Sequence, residues 1–122
     1  MKSLWIFAAL SLASIAQAAS TTATAEIEAL LAYVKQLDGA VFIRNGSEHA
    51  PTAAEAHLRM KWEKQSAQIK TAEDFIELCA TKSSLSGERY RIRLKDGTVR
   101  DSAEVLRAQL ADIRRAAAQQ AP

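Results

Sequence analysis

Val41-Phe42-Ile43-Arg44 runs directly into Asn45-Gly46 and then into the polar Ser47-Glu48-His49. No other feature constrains the fold as tightly. A type I′ turn needs φ > 0 at both central residues, and Asn-Gly after a β-branched and aromatic run supplies both. The reading is an antiparallel hairpin whose second, polar arm is a short edge strand closed by Pro51.

Helical periods flank the hairpin. From Glu26, the residues Ile27, Leu30, Leu31 and Val34 fall at i, i+3, i+4 and i+7, one apolar stripe that Asp38-Gly39 ends. Residues 19–25 are small and polar and read as a frayed lead-in. A second helix opens at Pro51, with Thr52 and Glu55 spaced as a capping box. Its buried face is Ala54, Leu58, Trp62, Gln65 and Ile69. Thr71 and Asp74 start a third helix by the same chemistry, and Phe75, Ile76, Cys79 and Ala80 form its stripe. Lys82 to Gly87 is a loop by composition. Tyr90, Ile92 and Leu94 alternate with Arg91, Arg93 and Lys95 as a half-buried strand, which Asp96-Gly97 turns. Asp101, with Glu104 three residues on, begins the last helix, whose stripe is Leu106, Leu110, Ile113 and Ala117. The order α-β-β-α-α-β-α specifies an α+β fold, four helices over a small two- or three-stranded, mainly antiparallel sheet. The expected core is Ile27, Leu30, Leu31, Val34, Ile43, Leu58, Trp62, Phe75, Ile76, Cys79, Tyr90, Ile92, Leu106, Leu110 and Ile113.

The first residues carry a different message. A basic Met1-Lys2, an apolar run from Leu4 to Ile15 and the small-x-small triplet Ala16-Gln17-Ala18 have the order of a secretory signal peptide. An apolar run of about twelve residues is shorter than the roughly twenty needed to span a bilayer. The expectation is an exported protein, soluble and periplasmic, with a signal peptide at 1–18. A single domain follows over 26–115, and a low-complexity C-terminal tail at 116–122 frays. No stable membrane insertion is expected after cleavage. Cys79 is the only cysteine, so no intramolecular disulfide is available and packing alone must hold the domain. The formal net charge of +2 falls by one when Lys2 is removed, which gives no nucleic-acid footprint.

Three segments together resemble the YfeK-like family of small exported proteins of Gram-negative bacteria, a domain of unknown function. They are Phe42-Ile43-Arg44-Asn45-Gly46, then Ala56-His57-Leu58-Arg59-Met60-Lys61, and Thr71-Ala72-Glu73-Asp74-Phe75-Ile76 continuing to Lys82-Ser83-Ser84-Leu85-Ser86-Gly87-Glu88-Arg89-Tyr90. The resemblance covers roughly Glu26 to Leu110. It implies a periplasmic location and one compact domain, and carries no catalytic residue with it.

Candidate sites come from the residues themselves. His57 makes a polar stripe with Lys61 and Lys64 beside the apolar one. It is either a general base or ligand group, or a structural donor to the hairpin or the serine loop. His49 and His57, without a Cys or Asp at ligand spacing, make no zinc site, and no metal or cofactor is expected. Cys79 shares the apolar stripe near a helix C-terminus and reads as core. Ser83-Ser84-Leu85-Ser86-Gly87, flanked by Lys82 and Arg89, suits an anionic group. Arg44, Arg91 and Arg93 make a positive patch if they share a sheet face.

The tentative site is Arg44, His57, Ser84, Ser86 and Arg89, gathered where the hairpin turn and the serine loop converge on the second helix. The function read from it is a non-enzymatic periplasmic module that binds an anionic ligand, an envelope component or a protein partner. The rival is a small hydrolase using His57 with Ser86 or Ser84.

Overall fold

A computed structural model describes residues 20–120; the expected signal peptide at 1–18 lies outside the described residues. Helix α1 (Thr21–Lys35) starts before its apolar stripe. Ser20 caps it by accepting a hydrogen bond from the Ala23 amide at 3.0 Å, and Ala23 is buried. Most of the expected lead-in is therefore helix, because a serine cap satisfies an amide that fraying would leave to water.

The hairpin forms as the sequence requires. Strands β1 (Val41–Arg44) and β2 (Ser47–His49) are joined by Asn45 at φ 52° and Gly46 at φ 78°. Strand β3 (Arg91–Arg93) pairs with β1, and a further strand, β4 (Val99–Asp101), pairs with β3. Among the described residues the result is α+β, four α-helices and a four-stranded antiparallel sheet in the order β2-β1-β3-β4. β4 adds one strand to the two or three expected, since a three-residue segment with one apolar side chain carries no readable alternation. Asp101 ends β4 and directly precedes the last helix, which starts at Ser102 with Glu104 in its first turn as the spacing requires, and its carboxylate lies 3.7 Å from Arg89 and 3.8 Å from Arg91.

Register decides which side chains meet the helices. Phe42 is opposite His49 on one side and Ile92 on the other, while Ile43 is opposite Glu48 and Arg91. Alternation then puts Phe42, Arg44, His49, Tyr90 and Ile92 on the helix-covered face. Ile43, Arg91 and Arg93 take the open face. Two expectations fail here. Ile43 is only half-buried and Phe42 fills the core in its place, because three consecutive apolar residues do not reveal the phase of a strand. The Arg44/Arg91/Arg93 patch does not form either: Arg44 faces inward, while Arg91 and Arg93 face outward and pair with Asp101 and Glu48.

Helix α2 (Pro51–Lys64) has no side-chain cap. Pro51 takes the first helical position, where its missing N–H costs nothing, so Thr52 is already inside the helix and the expected capping box is absent. Glu55 turns instead to Arg59, whose guanidinium also forks onto Glu28 of α1 at 2.9 and 3.0 Å. A 3₁₀ turn at Ser66–Gln68 then delivers Ile69 to the core from outside the helix. At helix α3 (Ala72–Cys79) the expected box between Thr71 and Asp74 is complete in both directions.

Helix α4 (Ser102–Gln120) buries Leu106 and Leu110. Ala117 is exposed, and the segment read as a fraying tail is helical as far as Gln120. Before that end, Arg114 reaches Glu26 on α1 and Glu73 at the start of α3, fastening three helices together. The α1 stripe, Phe75, Cys79, Ile92 and Leu106 are all fully enclosed. No helix among the described residues is long and apolar enough to cross a membrane.

Candidate functional site

Only Ala50 separates β2 from α2, so the inner face of the hairpin must stand against the first turns of that helix. A pocket of about 60 Å³ remains between them. Its apolar wall is Phe42, Ala53, Ala54 and Leu58, and its polar lining is Arg44, His49, His57, Tyr90, Arg91 and Ser102. That lining contains the guanidinium of Arg44, two imidazoles and no carboxylate, and Arg91 borders it with its side chain turned to the open face. Arg91 is paired with Asp101, but Arg44 makes no ion pair among the described residues. His49 Nε2 is enclosed without a hydrogen-bond partner, the sole such side-chain atom among the described residues.

Behind the pocket runs a polar chain through a buried phenol. Tyr90 is 7% exposed, and its hydroxyl lies 3.2 Å from Lys61 Nζ and 3.3 Å from His57 Nε2. Lys61 is itself 7% exposed, reaches Ser84 Oγ at 3.4 Å and has no carboxylate partner among the described residues. An ammonium only donates, so the Tyr90 oxygen accepts from Lys61, and the same hydroxyl shares a hydrogen bond with His57 Nε2. Burial pushes the His57 pKa below its ordinary value, and the charges of Arg44, Lys61, His49 and Lys64 push it the same way. An uncompensated buried cation is expensive for a fold to keep unless an anion or a function accounts for it.

Of the five residues expected to share a cleft, Arg44 and His57 line this pocket. Ser84 lies one step behind, at the far end of the Lys61–Tyr90 chain. The hairpin turn does meet the serine loop: Asn45 Nδ2 donates to Ser83 Oγ at 3.2 Å, and Ser86 Oγ donates to Asn45 Oδ1. Ser86 is thus committed to a latch between two turns. Arg89, outside the lining, faces Asp101 and closes the loop through a bridge with Lys82. His57 bonds to a phenol rather than to a serine, so no nucleophile–base pair is formed with Ser84 or Ser86. Among the described residues no three His, Cys, Asp or Glu side chains gather as a metal site.

Three participants are named in the sequence reading, but none as part of this site. Lys61 continues the Ala54–Leu58 stripe at i+3, a buried position that its charge disguised. Tyr90 was legible as core but not as a hub, since its partners come from another element. His49 was weighed only as a metal ligand.

Cys79 is fully enclosed, and burial raises its thiol pKa to about 11 despite the nearby Lys61. In native protein it is expected to resist a disulfide-exchange reagent and to react stoichiometrically once urea unfolds the chain. Rapid labelling of the native protein would place it at the surface.

Comparison with known proteins supplies membership without an activity. No solved structure matches the chain. A curated relative, "Uncharacterized protein YfeK" of Salmonella typhimurium, is 39% identical over 66 residues, which cover 54% of this chain. The match spans 55% of that relative's own length. The profile of a family of unknown function, DUF5329, matches residues 21–114, α1 to the Arg114 clamp. The chain therefore belongs to the DUF5329 family, in keeping with its resemblance to YfeK-like proteins.

Proposed function

We propose that this protein is an exported, periplasmic binding module, without catalytic activity, that takes a small anionic ligand in the pocket between the hairpin and α2. One observation carries the reading: the pocket lining presents Arg44, His49 and His57 with no carboxylate, and a buried, unpaired Lys61 stands behind it. Cations that stabilise only the fold normally find acids. This chain does so elsewhere with Arg59, Arg93 and Arg114. The first turn of α2 supports the same ligand sign, since it has no side-chain cap and no acidic residue. Export is supported by the signal-peptide pattern of residues 1–18.

The test is an amide NMR titration of the secreted form with acetate and with inorganic phosphate. Saturable shifts are expected at Arg44, His49, Ala53 and His57 for at least one of them. Arg44→Ala should weaken that binding by about tenfold or more, the effect of losing a charge-assisted contact of about 1.4 kcal/mol. Linear, unsaturated shifts with both anions, unchanged in the variant, would end the reading.

A further inference from the structure

The pocket's shape and the distribution of its polar groups narrow the ligand class. We infer that it takes a monocarboxylate borne on a short branched apolar carbon, such as a free short-chain acid or a peptide C-terminus ending in a small residue. This rests on the anion-binding reading above.

A volume of about 60 Å³ is room for roughly four to six water-sized groups, by the usual size of a water site. That is a carboxylate with a few carbons. One side of the space is hydrocarbon: Phe42, Ala54 and Leu58 are buried, and Ala53 completes the wall. A phosphate or sulfate is polar on every side and would press oxygens against that wall without donors to meet them. A carboxylate is polar at one end only. Its two coplanar oxygens match the guanidinium fork of Arg44, the lining cation without an ion pair among the described residues.

His49 lines the same space, and its enclosed Nε2 has no hydrogen-bond partner among the described residues. Charge agrees with this. Arg91 is already paired and Lys61 spends its hydrogen bonds on Tyr90 and Ser84, leaving Arg44 as the formal charge in direct reach of a ligand. One guanidinium matches a monoanion.

The experiment titrates the secreted form with acetate, isobutyrate, N-acetyl-alanine, N-acetyl-alaninamide and inorganic phosphate, following the same amides. Isobutyrate or N-acetyl-alanine should bind about four- to fifteenfold tighter than acetate, as one or two more buried carbons require. The amide should not bind, and phosphate should be about tenfold weaker than the better carboxylate, a loss of one good polar contact. Preference for N-acetyl-alanine assigns a peptide C-terminus and preference for isobutyrate a free acid; either supports the class.

Ala53→Leu, a change at an exposed position of α2, narrows the pocket without touching the core and should cost isobutyrate more than acetate. Phosphate binding tighter than every carboxylate, or acetate equal to isobutyrate, would overturn the class and leave the anion reading standing. Binding of none of these anions would end both.

Discussion

Phe75→Ala is expected to lower the free energy of unfolding by about 3–5 kcal/mol, the usual cost of emptying a buried aromatic site. Phe75 is wholly enclosed on α3 and meets Trp62 of α2 edge-to-face, with ring centroids 6.1 Å apart and planes at 72°. The loss combines the transfer of the ring, the void left behind and the aromatic pair. Domains of this size are stable by roughly 5–15 kcal/mol in all, so the variant should be only marginally folded at room temperature. Urea unfolding followed by circular dichroism measures it. A midpoint close to wild type would mean that α3 does not pack where it is described.

Lys61→Met should act in the opposite direction, raising stability by about 1–2 kcal/mol, because a well-packed apolar side chain often outperforms a buried charge. Lys61 has no carboxylate partner to abandon, and the Tyr90 hydroxyl keeps its bond to His57. The same substitution should raise the His57 pKa, since the Lys61 charge is among the causes that lower it. Urea unfolding and a histidine titration give two independent readouts. A destabilised variant would show that the ammonium is structural, and the argument from an uncompensated cation would fall with it.

Much of this architecture is readable from residue order. Asn45-Gly46 demands the hairpin, Thr71 with Asp74 demands the start of α3, and the α1 stripe is buried along its length. Local chemistry wrote those features. What it does not write is phase and partnership. Val41-Phe42-Ile43 is apolar throughout, so only pairing with β3 reveals that Phe42 and Arg44 face inward. Pro51 displaces the start of α2 and dissolves the Thr52–Glu55 box, a competition between two valid start signals. At the site, His57 stands out by residue type and Arg44 by position. The Lys61–Tyr90–His57 chain crosses 29 and 33 residues between α2 and the residue before β3, and no periodicity within one element encodes it.

The most direct test of an anion pocket at this place is the pKa of His57, measured by NMR of its ring protons with and without saturating N-acetyl-alanine. In the free protein it should lie below the ordinary value of about 6.5, because burial and the neighbouring positive charges, Arg44 foremost, disfavour the imidazolium. A bound carboxylate favours the imidazolium, so the pKa should rise on binding. Binding should then tighten as the pH falls from the bound-state pKa towards the free one, and level off below it. The same rise should be absent in Arg44→Ala. A His57 pKa that is already normal in the free protein, or unmoved by the carboxylate, would contradict the account.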